Sequence, residues 1–366
     1  MNQNDVVRKA RKILAQVNMA RRYRDVFDQI MDIIQHKLRI NTSPRDYYKY
    51  GFYAGGKTWE QKSRYVGRTG SRYWPFENNY FKYTVTLSDK YVQKTLIHGF
   101  GLPTSKLITS IGEIYEIRTQ GQLNSFLDEV NSDIALKPID GAGGERILVL
   151  SRRLGHFLAG NKQYSNEMIW NHVRRNLKGG FLVEERVKNA ASLSTIYPLS
   201  LNTFRVVTIK TKDQIWHLGG CVLKFGSGGS QVDNSEDDIQ VAVDENGMTV
   251  SAYWRDKAIT HHPDTGMPLV GIELEEYKEI IGLALKASEK FCFMGTIGWD
   301  IALSDRGPLI IEGNTKWSTE YQIPMGRGYI TDAMAGDLKK RHMFSRWNRS
   351  RMYPNFHRRT RWPWQG

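Results

Sequence analysis

The sequence has few cysteines and no long apolar run. Its 366 residues include only two cysteines, Cys221 and Cys292, and each lies in an apolar stretch. They provide neither a disulfide framework nor a metal-binding spacing, so we expect two buried, reduced thiols. No stretch reaches the roughly 18 to 20 apolar residues of a membrane-spanning helix, and the N-terminus lacks the apolar segment of a secretory signal. We therefore expect a soluble, cytoplasmic protein.

Acidic residues are scarce relative to basic ones. The chain has 38 Asp and Glu against 52 Lys and Arg, which gives a formal net charge of +14. Such an excess attracts nucleic acid, anionic lipid, acidic glycans or nucleotides, and does not choose among them. The segment from Lys339 to Gly366 has nine Lys or Arg, three Trp and no acid. Two interpretations are equally good: the segment contacts a membrane surface or a polyanion, or it is a solvated tail.

Helical periodicity marks the N-terminal region. Over residues 5–38 apolar residues recur at helical spacing with Arg and Lys between them, which predicts one or two helices. A basic amphipathic helix can lie on a membrane, but packing against its own protein is the interpretation we prefer. Residues 41–86 are rich in Tyr, Gly and Arg and are predicted to be irregular. They carry no recognisable functional pattern.

The rest of the chain mixes strands and helices, which predicts an α+β fold. A helix is expected over 87–100 with Ser88 as its N-cap, followed by a short strand. Further strands are expected at 134–138, 146–150, 181–187, 203–210 and 213–225, with helices at 167–177 and 274–291. Two last strands, 297–303 and 308–311, form a hairpin around the turn 304–307.

A glycine-rich segment follows the strand at 134–138. Lys137 precedes a turn that contains Gly141, Gly143 and Gly144, and a second strand comes next. Glycines allow backbone N–H groups to approach phosphate oxygens closely, and the lysine adds a positive charge. The segment has neither the P-loop pattern nor the dinucleotide-binding pattern, because no helix follows it. A plain glycine hairpin is an equally good interpretation.

The C-terminal hairpin carries acidic residues among apolar ones. Glu312 and Asn314 alternate on one strand, so their side chains point the same way, and Asp300 on the neighbouring strand can face the same side. Two carboxylates and an amide oxygen are hard donors that suit magnesium. Exposed polar hairpin ends explain the pattern less well, because burying acids without a cation is unfavourable.

Two further strands carry charged residues. The strand 181–187 contains Glu184 and Glu185, where a carboxylate could take the amino proton of adenine, although an ordinary strand with a charged turn gives the same pattern. Arg205 on the next strand requires an anionic partner if it is buried, and could bind phosphate or a developing oxyanion. Lys224 could act likewise. The adjacent histidines His261 and His262 are interpreted as part of a loop rather than a metal site.

In their order along the chain these segments resemble the ATP-grasp superfamily, and most of all its branch associated with sugar transfer and related to glutamate-ligase-like enzymes. The likeness covers roughly 88–316. The matching segments are Lys137-Pro138 with the three glycines, Glu184-Glu185, Ser200–Arg205, His262–Gly266, Gly298-Trp299-Asp300 and Glu312-Gly313-Asn314. Departures from the pattern are Ala190-Ala191-Ser192, where a ribose-binding acid is common, and Glu236-Asp237-Asp238 in place of glycines.

The resemblance implies an ATP-grasp fold, in which two α+β subdomains grip ATP, and it implies roles for particular residues. The grasp domain would span 87–335 with a lid subdomain over about 130–187, preceded by the helical, basic region 1–86 and followed by the tail 336–366. Lys90 and Lys137 would bind phosphates, Gly141, Gly143 and Gly144 would form the lid, and Glu184, Glu185 and Val187 would hold adenine. Asp300, Glu312 and Asn314 would bind one or two Mg²⁺ ions. Arg205 and Lys224 would be catalytic, and Asn202, Asp233, Asn234 and Trp299 would contact the substrate.

The activity implied by this resemblance is that of an ATP- and Mg²⁺-dependent carboxylate–amine ligase that acts through an acyl phosphate. Its substrates would be an amino acid, an acidic sugar or a glycan intermediate of polysaccharide or secondary-metabolite biosynthesis, together with an amine. One alternative is an ATP-grasp kinase that phosphorylates a hydroxyl. Another is a basic polyanion- or membrane-binding protein with a degenerate ATP site. The expected location is the cytoplasm, with peripheral contact at the inner membrane as an option.

Overall fold

The computed structural model describes residues 14–40, 42–67, 79, 81–141, 144, 146–230 and 238–335. The predicted site residues Gly143, Asp233 and Asn234 lie outside the described residues, and so does the tail 336–366. Within the described ranges, no helix has both the length and the hydropathy that crossing a bilayer requires.

The helices lie in the N-terminal region and against the two sheets. Residues 14–20 are helical, and the labelled helices are α1 Val26–Ile40, α2 Pro44–Lys49, α3 Trp59–Ser63, α4 Val85–Ser88, α5 Lys90–Gly99, α6 Gln120–Glu129, α7 Asn166–Val173, α8 Ala191–Ile196 and α9 Tyr277–Lys290. Short 3₁₀ turns occur at Phe52–Ala54, Phe81–Tyr83, Arg174–Asn176 and Glu320–Gln322.

The strands form two antiparallel sheets. The strands are β1 Leu107–Ile111, β2 Ile134–Pro138, β3 Leu148–Arg153, β4 His156–Ala159, β5 Lys162–Tyr164, β6 Phe181–Glu185, β7 Thr203–Lys210, β8 Trp216–Phe225, β9 Ile239–Val243, β10 Thr249–Trp254, β11 Lys257–Ile259, β12 Thr296–Ser304 and β13 Gly307–Asn314. The smaller sheet has the order β1-β6-β2-β3-β4-β5, and the larger has the order β11-β10-β9-β8-β7-β12-β13. This mixture of helices and antiparallel sheets is the α+β architecture that the sequence predicts.

Each sheet has its own apolar core. Helix α9 buries Ile280, Ala284 and Ala287, spaced at one helical face, against the larger sheet. The opposite face of that sheet is covered by Trp317, Tyr321 and Tyr329, so strand β12 is buried along its whole length. The smaller sheet packs against α6 and α7 in a separate core. The two sheets thus have separate apolar cores.

The N-terminal region forms an aromatic cluster rather than an irregular segment. Tyr47, Tyr48, Tyr50, Phe52 and Tyr53 are buried together around α2 and the following turn. Two of their hydroxyls bind polar residues of α1: Tyr48 donates to Gln29 (2.9 Å) and Tyr47 donates to Asp32 (2.9 Å). Short helices within 41–86 had not been predicted, because aromatic packing rather than a periodic pattern holds them.

Three local predictions need correction. Helix α5 is capped by Asp89, whose carboxylate accepts from the N–H groups of Tyr91 and Val92, and not by Ser88. Cys221 is buried as expected, but Cys292 is exposed because it follows the end of α9 at the surface. The region 239–259 forms three strands, where none was predicted.

A single glutamine joins α5 to the acidic strand β13. The side-chain amide of Gln93 donates to the carbonyl oxygens of Gly313 (2.6 Å) and Leu87 (2.9 Å), and its oxygen accepts from the N–H of Gly313 (3.1 Å). Gln93 is 3% exposed, so water cannot replace these bonds. The lysines of α5 are therefore held at a fixed position relative to β13.

We expect Gln93→Met to lower the free energy of unfolding by about 1–3 kcal/mol, because it leaves buried N–H and C=O groups without partners. Urea denaturation measures the change. The exposed neighbour Thr95, whose hydroxyl bonds only within α5, supplies the control Thr95→Ala, with an expected change below about 0.5 kcal/mol. Equal stabilities of the two variants would contradict the assignment.

Candidate active site

A large cavity opens where the two sheets meet. Its volume is about 1030 Å³, the size of a site for a nucleotide or a comparable ligand. Twelve predicted site residues line it: Lys90, Lys137, Gly141, Gly144, Glu184, Glu185, Val187, Arg205, Lys224, Asp300, Glu312 and Asn314. Residues that are far apart in sequence are thus brought to one cavity.

Glu184 on β6 is bonded to two lysines. Its carboxylate lies 3.0 Å from the ammonium of Lys94 and 2.7 Å from that of Lys137, and it also accepts from the hydroxyl of Ser105 (2.9 Å). Glu184 is 1% exposed and Lys94 is 4% exposed. The Lys94 ammonium donates further to the hydroxyls of Thr104 and Ser105, both at 2.8 Å. Glu184 therefore orients two cations at the wall of the cavity.

Burial and charge act in opposite directions on the pKa values of this cluster. Burial alone would raise the pKa of Glu184, but Lys137 and Lys94 outweigh it and lower that pKa to about 2. Burial lowers the pKa of Lys94, and the charge of Glu184 opposes this shift. Glu184 is thus an anion over the whole physiological range.

Asp300 and Arg205 form a second buried ion pair, across β12 and β7. The two residues are direct cross-strand partners. Arg205 donates to both carboxylate oxygens, with Nε–Oδ1 at 2.6 Å and Nη2–Oδ2 at 2.8 Å, and its guanidinium lies over the Tyr321 ring. Burial would raise the pKa of Asp300, but Arg205 and Lys224 lower it to about 2. The cations beside Asp300 are therefore Arg205 and, at 3.8 Å, Lys224, partners that the sequence interpretation had not assigned.

Glu312 and Asn314 face Asp300 from β13, as the alternation of side chains predicts. Glu312 is the cross-strand partner of Asp300, and the Asn314 amide lies 3.1 Å from Glu312 Oε1 and 3.5 Å from Asp300 Oδ2. Among the ion pairs of the described residues, none joins Glu312 to a Lys or Arg. Arg205 and Lys224 both face Asp300, whereas Glu312 forms no such pair among the described residues, and a divalent cation would bridge the two carboxylates.

This donor set fits magnesium, which commonly uses one or two carboxylates together with phosphate oxygens. Within the described part of the chain, no cluster of three or more His, Cys, Asp or Glu could hold a metal by itself. Asp300 and Glu312 would therefore hold the ion together with ligand oxygens. The Asn314 amide would have to turn its oxygen inward to join them.

The glycine segment lies beside Lys90. The ammonium of Lys90, at the start of α5, donates to the carbonyl oxygen of Gly141. Gly144 adopts a positive φ of 75°, which residues with a side chain rarely adopt. Lys90 therefore links α5 to the segment that is predicted to cover phosphates.

The end of β6 has fewer free groups than predicted for an adenine site. The N–H groups of Glu185 and Arg186 donate to the carbonyl oxygens of Lys106 and Asp133, both at 3.0 Å. The Glu185 carboxylate accepts from Arg306 (2.6 Å), and that of Glu184 is occupied by lysines. The carboxylates of Glu184 and Glu185 and the N–H group of Glu185 are thus already bonded within the protein at this edge.

Two predicted substrate residues are structural. Trp299 is 0% exposed and donates from its indole N–H to Ser288 of α9 (2.8 Å), because it faces the side of β12 opposite to Asp300. Asn202 is also 0% exposed, and its amide donates to the carbonyl oxygens of Leu193 and Tyr197. Neither side chain is among the residues that line the cavity, and contact of these residues with the substrate stays a prediction.

Sequence reasoning missed Lys94 and Tyr321. Lys94 lies one helical turn after Lys90, and this spacing of four residues was a usable signal for a second lysine on the same face. Tyr321 could not have been found, because its contact with Arg205 joins residues more than one hundred positions apart. Lys94 forms an ion pair with Glu184, and the ring of Tyr321 lies against the guanidinium of Arg205.

With this geometry established, the family of the chain follows from comparison with known proteins. Residues 68–335 match the family described as sugar-transfer associated ATP-grasp, and this chain belongs to that family. The match confirms the resemblance read from the motifs and the ATP-grasp fold. Among curated proteins, no match to the chain is found.

Solved structures similar to the chain include three enzymes. The carboxyaminoimidazole ribonucleotide synthase of Aspergillus clavatus complexed with ATP has 13% identity and a TM-score of 0.41, with 64% of this chain and 46% of that chain covered. The L-amino acid ligase of Bacillus licheniformis has 12% identity and a TM-score of 0.39, with coverages of 65% and 42%. The D-Ala:D-Ser ligase VanG of Enterococcus faecalis has 11% identity and a TM-score of 0.40, with coverages of 69% and 57%. The chain thus spans about half the length of these proteins.

The charge of Glu184 makes stability depend on pH. Its folded-state pKa of about 2 is below its ordinary value of 4.5, so its contribution is complete above pH 4.5 and is lost as the pH falls toward 2. That contribution amounts to about 3 kcal/mol. We expect Glu184→Gln to lower the free energy of unfolding at neutral pH by about 3–5 kcal/mol, because two lysines then lack their anion.

Urea denaturation at several pH values measures both effects. Between pH 4.5 and pH 2 the wild type should lose more stability than Glu184→Gln, which lacks the titrating group. The exposed Glu289 gives the matched control Glu289→Gln, which should follow the wild type. Identical pH profiles for Glu184→Gln and the wild type would rule out the proposed charge on Glu184.

Proposed function

We propose that this protein is an ATP- and Mg²⁺-dependent ligase that joins a carboxylate to an amine through an acyl phosphate. The observation that carries the proposal is the meeting of two charge clusters in one cavity. Lys90, Lys94 and Lys137 supply cations on one side, and Asp300 with Glu312 supplies anions on the other. A triphosphate bound with Mg²⁺ has the complementary charges.

The lysines would bind the phosphates of ATP. Lys137 is half-buried and is held by Glu184 at 2.7 Å, so its ammonium is already oriented before a ligand arrives. Orientation in advance reduces the ordering that binding requires. Gly141 and Gly144 lie beside Lys90 and would let the backbone approach phosphate oxygens.

Asp300, Glu312 and Asn314 would hold one or two magnesium ions. When bound, Mg²⁺ neutralises charge on the transferred phosphoryl group. The protein's own part is to keep Asp300 ionised through Arg205 and to aim Glu312 at the same point. Positioning and charge neutralisation are sufficient for phosphoryl transfer, so no protein nucleophile is required.

Arg205 and Lys224 would stabilise the reacting oxygens. In the first step a carboxylate oxygen of the substrate attacks the γ-phosphorus of ATP, which gives an acyl phosphate and ADP. In the second step the amine attacks the acyl carbon, phosphate leaves and the amine loses a proton. Two N–H groups of Arg205 bind Asp300, and a guanidinium has five, so others can face an oxyanion.

Several finer features belong to the same proposal. The net charge of +14 suits an acidic substrate, for which we propose an amino acid, an acidic sugar or a glycan intermediate in polysaccharide or secondary-metabolite biosynthesis. Asp233 and Asn234 remain candidates for the substrate side. We place the reaction in the cytoplasm, and the basic tail 336–366 would contact a membrane surface or a polyanion.

The test is to incubate the full chain with ATP and Mg²⁺ across a panel of acids and amines, and to measure ADP, phosphate and amide. We expect ADP and phosphate in equal amounts, only with a particular acid–amine pair. Glu312→Gln should lower the rate by about 10²-fold or more, because it removes one of the two carboxylates that would hold Mg²⁺. The exposed control Glu289→Gln should keep the wild-type rate.

The products separate this activity from that of a kinase. If the products are ADP and a phosphorylated hydroxyl compound, with no free phosphate, the protein is a kinase and not a ligase. A Glu312→Gln variant as active as the wild type would refute the metal role of Glu312.

A further inference from the structure

Exposed apolar side chains are concentrated in the N-terminal helices. Of the fourteen large hydrophobic residues that are exposed among the described residues, eight lie between positions 14 and 38: Leu14, Met19, Tyr23, Phe27, Ile30, Met31, Ile34 and Leu38. Five of them, from Phe27 to Leu38, share one face of α1 at spacings of three and four residues. We call these five residues the apolar stripe.

The apolar stripe faces outward because the polar face of α1 is anchored inside. Gln29, Asp32 and His36 are buried, and the first two accept hydrogen bonds from Tyr48 and Tyr47. Turning the stripe inward would break these bonds and expose the tyrosines. Phe27 is 69% exposed and Leu38 is 80% exposed. The helix does pack on its own protein, through Ile33, Ile40 and these polar residues, but the apolar stripe takes no part in that contact.

Cations surround the apolar stripe. Arg21, Arg22, Lys37 and Arg39 are exposed before and at the end of α1, and Asp25 and Asp28 are the exposed acids nearby. The net charge of the whole chain is +14. An apolar helix face with basic residues around it matches an anionic lipid surface, where the apolar side chains enter the acyl boundary and the cations meet head groups.

A second copy of the chain is a weaker candidate for covering the stripe. A stable protein interface uses roughly 20 to 30 residues on each side. The apolar stripe offers five residues along α1, whose 15 residues span only about 22 Å. Two copies would also bring together two strongly positive molecules. An anionic membrane needs no large complementary protein surface, and its negative head groups attract the positive charges around α1.

We infer that helix α1 docks the protein on an anionic membrane surface, with the apolar stripe inserted at the level of the head groups. This surface goes beyond the proposed ligase activity and does not depend on it.

The test uses the full chain and vesicles of phosphatidylcholine, alone or mixed with phosphatidylglycerol. Co-flotation should recover the wild type only with the mixed vesicles. The variant Ile34→Glu with Leu38→Glu changes two exposed positions and should bind at least about tenfold more weakly. The matched control is Ile215→Glu with Val250→Glu, two apolar residues exposed elsewhere at 53% and 49%, and it should bind as the wild type does.

A label at the apolar stripe distinguishes insertion from attraction by charge alone. The exposed thiol is first removed by Cys292→Ser. An environment-sensitive fluorophore is then attached to the new cysteine of Leu38→Cys, and in a control protein to that of Val250→Cys. Mixed vesicles should shift the emission to shorter wavelength at position 38 only. ATP turnover is measured separately, so failure of docking and failure of the ligase are distinguishable.

Three results would overturn the docking site. If the wild type does not bind mixed vesicles but forms a dimer, and the variant Ile34→Glu with Leu38→Glu is a monomer, the partner of the stripe is a second copy of the chain. Emission at position 38 that is already at short wavelength in buffer, and unchanged by vesicles, would identify another segment of this chain. Equal vesicle binding by the stripe variant and the wild type would place membrane contact elsewhere.

Discussion

The arrangement of the cavity depends on the carboxylate of Glu184. Two lysine ammonium groups this close together repel each other, and a buried lysine without an anion is unfavourable, so neither Lys94 nor Lys137 could stay in place without it. Lys94 belongs to α5, and Lys137 and Glu184 belong to the smaller sheet. Gln93 connects α5 in turn to β13, the strand of Glu312. One continuous set of contacts therefore relates the cations on one side of the cavity to the acids on the other.

Neighbouring charges also determine the state of the two acids Asp300 and Glu312. Asp300 stays ionised in a buried place because Arg205 binds both of its oxygens, while Glu312 adds a second negative charge opposite it. The pair thus combines a carboxylate in direct contact with a cation and one that forms no direct ion pair among the described residues. A cavity with fixed lysines and two facing carboxylates suits a ligand that carries both phosphates and a cation.

Local patterns predicted much of the fold and of the site. The bounds of β2 and β7 agree with the predicted strands because their apolar runs end at clear turns, and the alternation along β13 correctly grouped Glu312 with Asn314 and Asp300. The same alternation places Trp299 on the opposite face from Asp300.

Contacts between distant residues could not be predicted in this way. Lys94 and Glu184 are ninety positions apart, and only the packing of α5 beside the smaller sheet brings them together. Periodicity in α1 identified which residues share a face, but it does not say whether that face is inside or outside. Hydrogen bonds from Tyr47 and Tyr48 decide this, and they come from a segment with no periodic pattern. The most direct measurement of the central claim is titration calorimetry of the wild-type chain with ATP, with Mg²⁺ and with the metal chelated. The account predicts saturable binding with Mg²⁺ and much weaker binding without it. A folded chain that takes up no ATP in the presence of Mg²⁺ would contradict the account.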